Sequence, residues 1–316
     1  MAAENFQDIL AIGIEIGGTK LQVGVGTASG KLVCPPIRRT VVRENGAQGI
    51  LQDVSAMVEE ALNSTGYSLA DIHKIGIGFG GPLNIARGVV LKSYQIHGWD
   101  DFPLKQWCEE KWRKPVVIQN DANTAALAEA LHGSGRGYSR VFYMTIGSGI
   151  GGGWVVDGKV DDGQGLGAAE MGHTWVTDPQ TGEPAELEQV CSGWGIGHRA
   201  RTAAEKQKTL MRELAGALEN IDAKIVHSAA EKNDELANQI LIDTCKMLGQ
   251  SIGNVIALLH PQRIIIGGGV SLMGPLFWDE LQKQVTMRSM PVFASGVELV
   301  HAELGESVVV IGALCL

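Results

Sequence analysis

The stretch Glu15-Ile16-Gly17-Gly18-Thr19-Lys20 decides how the chain is read. Ile9 to Ile14 before it is apolar, and Leu21-Gln22-Val23-Gly24-Val25 after it alternates with period two. An apolar run, a glycine break and an alternating run predict strand, tight turn and returning strand. The same logic recurs later. Val141 to Ile146 is apolar, Gly147-Ser148-Gly149 breaks it, and Gly153-Trp154-Val155-Val156 returns, with Asp157-Gly158 as a hairpin turn before Lys159-Val160. Neither stretch is a P-loop or a dinucleotide fingerprint. Thr19 separates Gly18 from Lys20, and in both cases a strand follows where those motifs need a helix. The first turn reads as an ordinary glycine hairpin, or as backbone N–H groups, a hydroxyl and an acid able to hold phosphate or a hydrated metal.

Outward from these turns the pattern is α/β. Apolar residues from Gly49 to Asn63 fall on one helical face, with Gly66 just past the end. Ile75 to Phe79 predicts a strand ending at Gly80-Gly81-Pro82, and Pro115 to Ile118 another, ending at Gln119-Asn120-Asp121. Asn123 to Leu131 is helical, with Gly133 as a stop, and residues 202 to 260 are mainly helical. Arg263 to Ile266 reads as a short buried strand. Gly267-Gly268-Gly269 behind it suits either close helix–sheet packing or bare backbone for a flat ring. No Pro/Ser-rich linker marks a boundary, which is placed near 119 to 122.

Composition narrows the function classes. The chain has 42 glycines in 316 residues, nearly twice average usage. No Gly-X-Y period is present, 45% of residues are apolar and only 10 are proline, so collagen and disorder are both excluded. The net charge of −9 argues against a broad nucleic-acid surface. Cys34, Cys108, Cys191, Cys245 and Cys315 are scattered, without CxxC spacing, as expected in a reducing compartment. No basic residue precedes Lys20, so a signal-peptide n-region is not expected. No apolar run approaches the ~18 residues of a membrane span. A cytoplasmic protein without a membrane partner is the expectation.

Asp121 follows a strand and opens a helix, as a helix cap does. A carboxylate at the C-terminal end of a strand can equally accept a proton from a hydroxyl. Glu170-Met171-Gly172-His173 and Glu188 form a polar group amid glycines. Without HExxH or a nearby cysteine, they suit the hydroxyls of a polyol better than a metal.

The motifs EIGGTK (15–20), GGPLN (80–84), HGW (97–99), NDAN (120–123), TIGSGIGGG (145–153), EMGH (170–173), LEQVCSG (187–193) and IIIGGGVS (264–271) occur in that order. Together they resemble the ROK family of sugar kinases and repressors, over essentially the whole chain. The resemblance implies the actin-like ATPase fold, two ribonuclease-H-like α/β lobes around a cleft. One lobe would take 1–119, with about 303–316 packing back on it, and the other 120–302. It implies transfer of the γ-phosphoryl group of ATP, with Mg²⁺, to a hexose, first of all the 6-hydroxyl of glucose. Fructose and N-acetylated amino sugars are the alternatives. Asp121 matches the catalytic base. Asn120, Glu170, His173 and Glu188 match sugar contacts, and Gly81 lies in the loop closing over the sugar. Glu15, Gly17, Gly18, Thr19 and Lys20 match one phosphate motif, and Gly147, Ser148, Gly149 and Gly151 the other. Gly267, Gly268 and Gly269 match the adenosine side. Gly149→Val is then expected to raise the KM for ATP far more than that for sugar. Relatives imply a homodimer or homotetramer.

The sequence departs from the family pattern in three places. Glu15 stands where Asp is usual. Pro179, Thr181 and Glu186 stand at cysteine positions of a structural zinc motif whose Gly182 is kept, so no zinc is expected and the loop should be held by packing. Gln95 is nearest to a usual Asn upstream of HGW. Two other readings compete. A repressor would carry a helix-turn-helix before the first glycine motif, and only about ten residues precede the first strand. A non-catalytic sugar-binding protein is motivated by Glu15 and the missing zinc motif.

Overall fold

Apolar alternation turns directly into sheet in the computed structural model, which describes residues 9–93 and 96–316. Gln95 lies outside the described residues. The chain runs through β1 (Leu10–Ile16), β2 (Lys20–Thr27), β3 (Ile37–Thr40), α1 (Gly46–Thr65), β4 (Lys74–Phe79), β5 (Leu83–Asn84) and β6 (Val89–Val90). Then come α2 (Leu104–Trp112), β7 (Val116–Asn120) and α3 (Asp121–His132). Next are β8 (Arg140–Ile146), β9 (Ile150–Val156), β10 (Lys159–Val160), β11 (Trp175–Thr177) and β12 (Pro184–Glu186). The helices α4 (Leu187–Cys191), α5 (Gly193–Lys206), α6 (Leu210–Ala215), α7 (Ala223–Ala230) and α8 (Glu235–Leu259) follow. The remainder is β13 (Arg263–Gly267), α9 (Gly274–Arg288), α10 (Pro291–Ala294), β14 (Glu298–His301) and α11 (Val308–Cys315).

One sheet has the order β3-β2-β1-β4-β7, the other β10-β9-β8-β13-β14. In the first, β1 pairs antiparallel with β2 and parallel with β4, and β4 pairs parallel with β7. In the second, β13 pairs parallel with both β8 and β14. The glycine turns after β1 and after β8 therefore occupy matching places in two sheets of matching order.

Two compact units result. The first holds residues up to Ser139, with 153–168 and 303–316; the second holds 140–152 and 169–302. The first unit thus runs past the boundary expected at 119/120. The helix α3 belongs to the first unit because its small, buried residues pack on α11 and β4. The 303–316 segment is tied in by a fully buried carboxylate. Glu129 Oε1 accepts the N–H groups of Glu303 and Leu304 at 2.9 and 2.8 Å, and its Oε2 accepts that of Ser134 at 2.9 Å. The helix α11 lies directly on β4, where a Cβ at Gly76 would run into the Ala313 carbonyl. Burial of Ile50, Leu51, Val54, Met57 and Val58 against the sheet holds α1, each such side chain contributing about 1.5–3 kcal/mol. That helix starts three residues earlier than expected and ends at Gly66, which takes the left-handed conformation, φ +73°.

Candidate functional site

In the first unit the β1–β2 turn is tight. Gly17 N–H donates to Lys20 O at 3.0 Å. The Gly18 carbonyl accepts from Arg43 Nε at 3.3 Å, and the Thr19 carbonyl from Val41 N–H at 3.0 Å. The N–H groups of Gly18 and Thr19 find no acceptor among the described residues, so the turn presents bare donors, as an anion site requires. Glu15 is buried beneath it. Its Oε1 lies 3.2 Å from Lys20 Nζ, and its Oε2 accepts from Gln22 Nε2 at 2.6 Å. Burial raises the Glu15 pKa, while Lys20 and Gln22 oppose the rise and the charge of Asp121 adds to it.

Asp121 stands beside this turn. Gly80 N–H donates to Ile16 O at 2.8 Å, which brings the end of β4 against the end of β1. A Cβ on Gly80 would sit 3.1 Å from Asp121 Oδ2 and 3.4 Å from Gly17 Cα, so bare glycines leave room around the carboxylate. The cap reading of Asp121 is resolved in favour of its neighbour. Asn120 is the cap of α3, its Oδ1 accepting from Ala122 and Asn123 N–H at 2.9 and 3.1 Å. Asp121 Oδ1 takes a second contact from Ala122 N–H at 2.8 Å. Burial raises the Asp121 pKa, against the pull of that backbone bond and of Lys20. Gln119 fixes the base of the helix: Asn120 N–H donates to its Oε1 at 2.7 Å, and its Nε2 donates to Asp162 at 2.9 Å. Gly81 N–H is held by the Phe79 carbonyl at 3.1 Å.

In the second unit the β8–β9 turn is closed by Gly147 N–H donating to Gly149 O at 2.8 Å; Gly147 O in turn accepts from Gly193 N–H at 2.8 Å. Ser148 is exposed at its tip, and Gly151 lies inside β9. Glu188 does not stand apart from this turn. Its Oε2 accepts Ile150 N–H at 2.7 Å and would lie 2.5 Å from a Cβ on Gly149. The small size of residue 149 therefore leaves room for the Glu188 carboxylate. Arg199, 2% exposed, steadies the helix bearing Glu188, donating to Val190 O at 3.1 Å and to Thr244 Oγ1 at 2.9 Å. Glu170 and His173 are exposed, and His173 Nδ1 meets Glu186 Oε2 at 3.1 Å. The three glycines after β13 divide. A Cβ on Gly267 would meet Tyr143 Oη, and one on Gly268, at φ +83°, the Ile146 backbone, each at 2.5 Å, whereas nothing lies within 4 Å of one on Gly269. Two of the three serve packing against β8; Gly269 alone faces open space.

The loop around Pro179 and Thr181 is not held by packing, since 179–184 are exposed. It closes around Asp178, whose carboxylate accepts from Gln180 N–H at 2.9 Å and Thr181 Oγ1 at 3.2 Å, and whose carbonyl accepts from Gly182 N–H at 2.8 Å. Gln180 Nε2 then donates to Arg199 O at 2.9 Å. No group of three or more metal-ligating side chains occurs among the described residues.

Sequence reasoning missed Gln22, Gln119 and Gly193. The register of β1 against β2, Glu15 opposite Gln22, would have flagged the first once the hairpin was assumed.

The sequence model of the ROK family matches residues 11–316. The chain belongs to the ROK family. Among ROK relatives, a glucokinase from Halalkalibacterium halodurans is 33% identical over 311 residues, covering 95% of this chain and 92% of the relative. A glucokinase from Thermotoga maritima is 31% identical over 308 residues, covering 96% and 95%. A crystal structure of a ROK glucokinase from Streptomyces griseus, in complex with glucose and AMPPNP, superposes with a TM-score of 0.81 at 29% identity, covering 96% of this chain and 98% of that one. The fold is the actin-like ATPase fold expected of a ROK protein.

Proposed function

We propose that the chain is an ATP-dependent glucose kinase with Asp121 as general base. The observation that carries this is the carboxylate of Asp121 set beside Gly80 and Gly17, next to a turn with bare N–H donors. The ROK glucokinases above support glucose and ATP as substrates. The 6-hydroxyl oxygen of glucose attacks the γ-phosphorus, the bond to the β,γ-bridging oxygen breaks, and ADP leaves. The hydroxyl proton passes to Asp121 Oδ2, the oxygen that faces Gly80. Phosphoryl transfer has a loose transition state, so the protein contributes positioning and charge neutralisation more than covalent chemistry. ATP enters as its Mg²⁺ complex, and the metal neutralises phosphate charge. Lys20 and Gln22 each engage one oxygen of Glu15, and the metal is read here as part of the substrate.

The Gly17–Lys20 and Gly147–Gly151 turns hold phosphate, and Gly269 offers open backbone on the adenosine side. Asn120, Glu170, His173 and Glu188 hold sugar hydroxyls, with Gly81 in the loop over the sugar. Loss of the zinc motif is offset by the Asp178 turn. A cytoplasmic site is supported by free cysteines throughout. No helix among the described residues is long and apolar enough to cross a membrane. A homodimer or homotetramer is supported by exposed Leu258, Met287, Met290 and Val292 on the second unit. A coupled ADP-release assay over glucose, fructose, mannose, N-acetylglucosamine and N-acetylmannosamine tests the reading. Glucose is expected to have the highest kcat/KM, and absence of turnover with every sugar would overturn it.

A further inference from the structure

Glu15 and Gln22 face each other across the β1–β2 pair. Gln22 is 3% exposed, and its amide nitrogen makes two short contacts, to Glu15 Oε2 at 2.6 Å and to Glu306 O at 2.7 Å. A primary amide has two N–H donors, and these contacts use both. Lys20 Nζ spans the same two groups from the other side, 3.2 Å from Glu15 Oε1 and 3.3 Å from Glu306 O. The result is a closed ring of carboxylate, ammonium, amide and carbonyl beneath the Gly17–Thr19 backbone.

We propose that Gln22 is a positioning residue for the nucleotide, fixing the Glu15–Lys20 pair and through it the first glycine turn. The proposal rests on the reading of that turn as a phosphate site. A glutamate has one more rotatable bond than an aspartate, so a carboxylate at residue 15 needs an added restraint to keep one place. Gln22 supplies it from the neighbouring strand, and the Glu306 carbonyl fixes Gln22 in turn. Two hydrogen bonds from a single amide, one buried and one partly buried, resist rotation of the whole group, and one of them is to a carboxylate.

The test uses the full chain with Gln22→Met, Gln22→Asn, Glu15→Gln and the double variant Gln22→Met/Glu15→Gln. Methionine keeps the volume and removes the donor; asparagine keeps a donor and secures the test if methionine fails to fold. The affinity for Mg-AMPPNP is read by calorimetry, and the KM values for ATP and glucose by ADP release. Gln22→Met is expected to weaken Mg-AMPPNP and raise the ATP KM about five- to tenfold, with the glucose KM within twofold. Gln22→Asn is expected to recover part of the loss. Because Gln22 acts through Glu15, adding Gln22→Met to Glu15→Gln should change nucleotide affinity less than twofold. Unchanged affinity in Gln22→Met, a full additive loss in the double variant, or a parallel rise in glucose KM overturns the proposal. If the parent chain binds Mg-AMPPNP but phosphorylates no sugar, the kinase reading fails while calorimetry still decides the role of Gln22.

Discussion

Glu188 accepts the N–H of Ile150 at 2.7 Å, so one carboxylate both closes the second glycine turn and, in the proposed function, meets the sugar. A side chain at residue 149 would push directly on that carboxylate. Gly149→Val is therefore expected to raise the KM for glucose as well as that for ATP, each by more than about tenfold. Steady-state kinetics with each substrate varied in turn checks this. An ATP effect alone would mean that Glu188 has no part in holding glucose.

Asp121→Asn keeps the shape of the base and removes its proton acceptor. Turnover should fall by about 10²–10⁴, while glucose affinity by calorimetry stays within a few-fold. Near-normal turnover would rule out Asp121 as the base.

Burial also sets a pH dependence. The folded-state pKa of Asp121 is raised, so the base is lost on acidification at a higher pH than for an ordinary aspartate. The acid limb of kcat/KM should lie above the usual carboxylate range. The same shift acts on stability with the opposite sense. The unfolded chain gives up this proton first, so folding loses stability as pH climbs from the ordinary Asp value through the raised one. Asp121→Asn should then raise the Tm at pH 7, and the gain should vanish below the ordinary Asp pKa. A Tm difference independent of pH would contradict this.

The Asp178 turn ties down the exposed 179–184 segment through its own hydrogen bonds. Asp178→Ala removes two side-chain acceptors and should cost about 1–3 kcal/mol in urea unfolding. A zinc chelator with no affinity for Mg²⁺ should leave activity unchanged, and inhibition by it would reveal a bound metal.

Gly268 and Gly269 should separate in a pair of alanine variants. Residue 268 combines φ +83° with backbone at 2.5 Å from its would-be Cβ, so Gly268→Ala is expected to destabilise by more than about 1 kcal/mol. Gly269→Ala should leave the Tm nearly unchanged and show itself, if anywhere, in the ATP KM.

Much of this molecule was legible in its sequence because strand and turn are local. The runs around Gly17 and Gly147 gave β1, β2, β8 and β9 directly, since alternation and glycine breaks depend only on neighbouring residues. The place of α3 was not legible. Its membership in the first unit depends on α11, almost 180 residues further on, and no periodicity carries such a pairing. The candidate site was legible as residue types and not as contacts. Gly149 and Gly267 look alike in sequence, yet one makes room for Glu188 and the other for Tyr143. Asn120 and Asp121 both suit a helix start, and only the turn geometry decides which caps it.

The carbonyl of Glu306 and the helix that follows it complete the first unit, although in the chain they come after the last residue of the second. On the ribosome, β1, β2 and the first glycine turn emerge long before residues 303–316 do. Until then Gly76 and its neighbours on β4 lack their covering helix, and Gln22 and Lys20 lack the Glu306 carbonyl as an acceptor. Translation must therefore pass through the whole second unit before the first can close, and until then the nascent first unit keeps apolar sheet exposed.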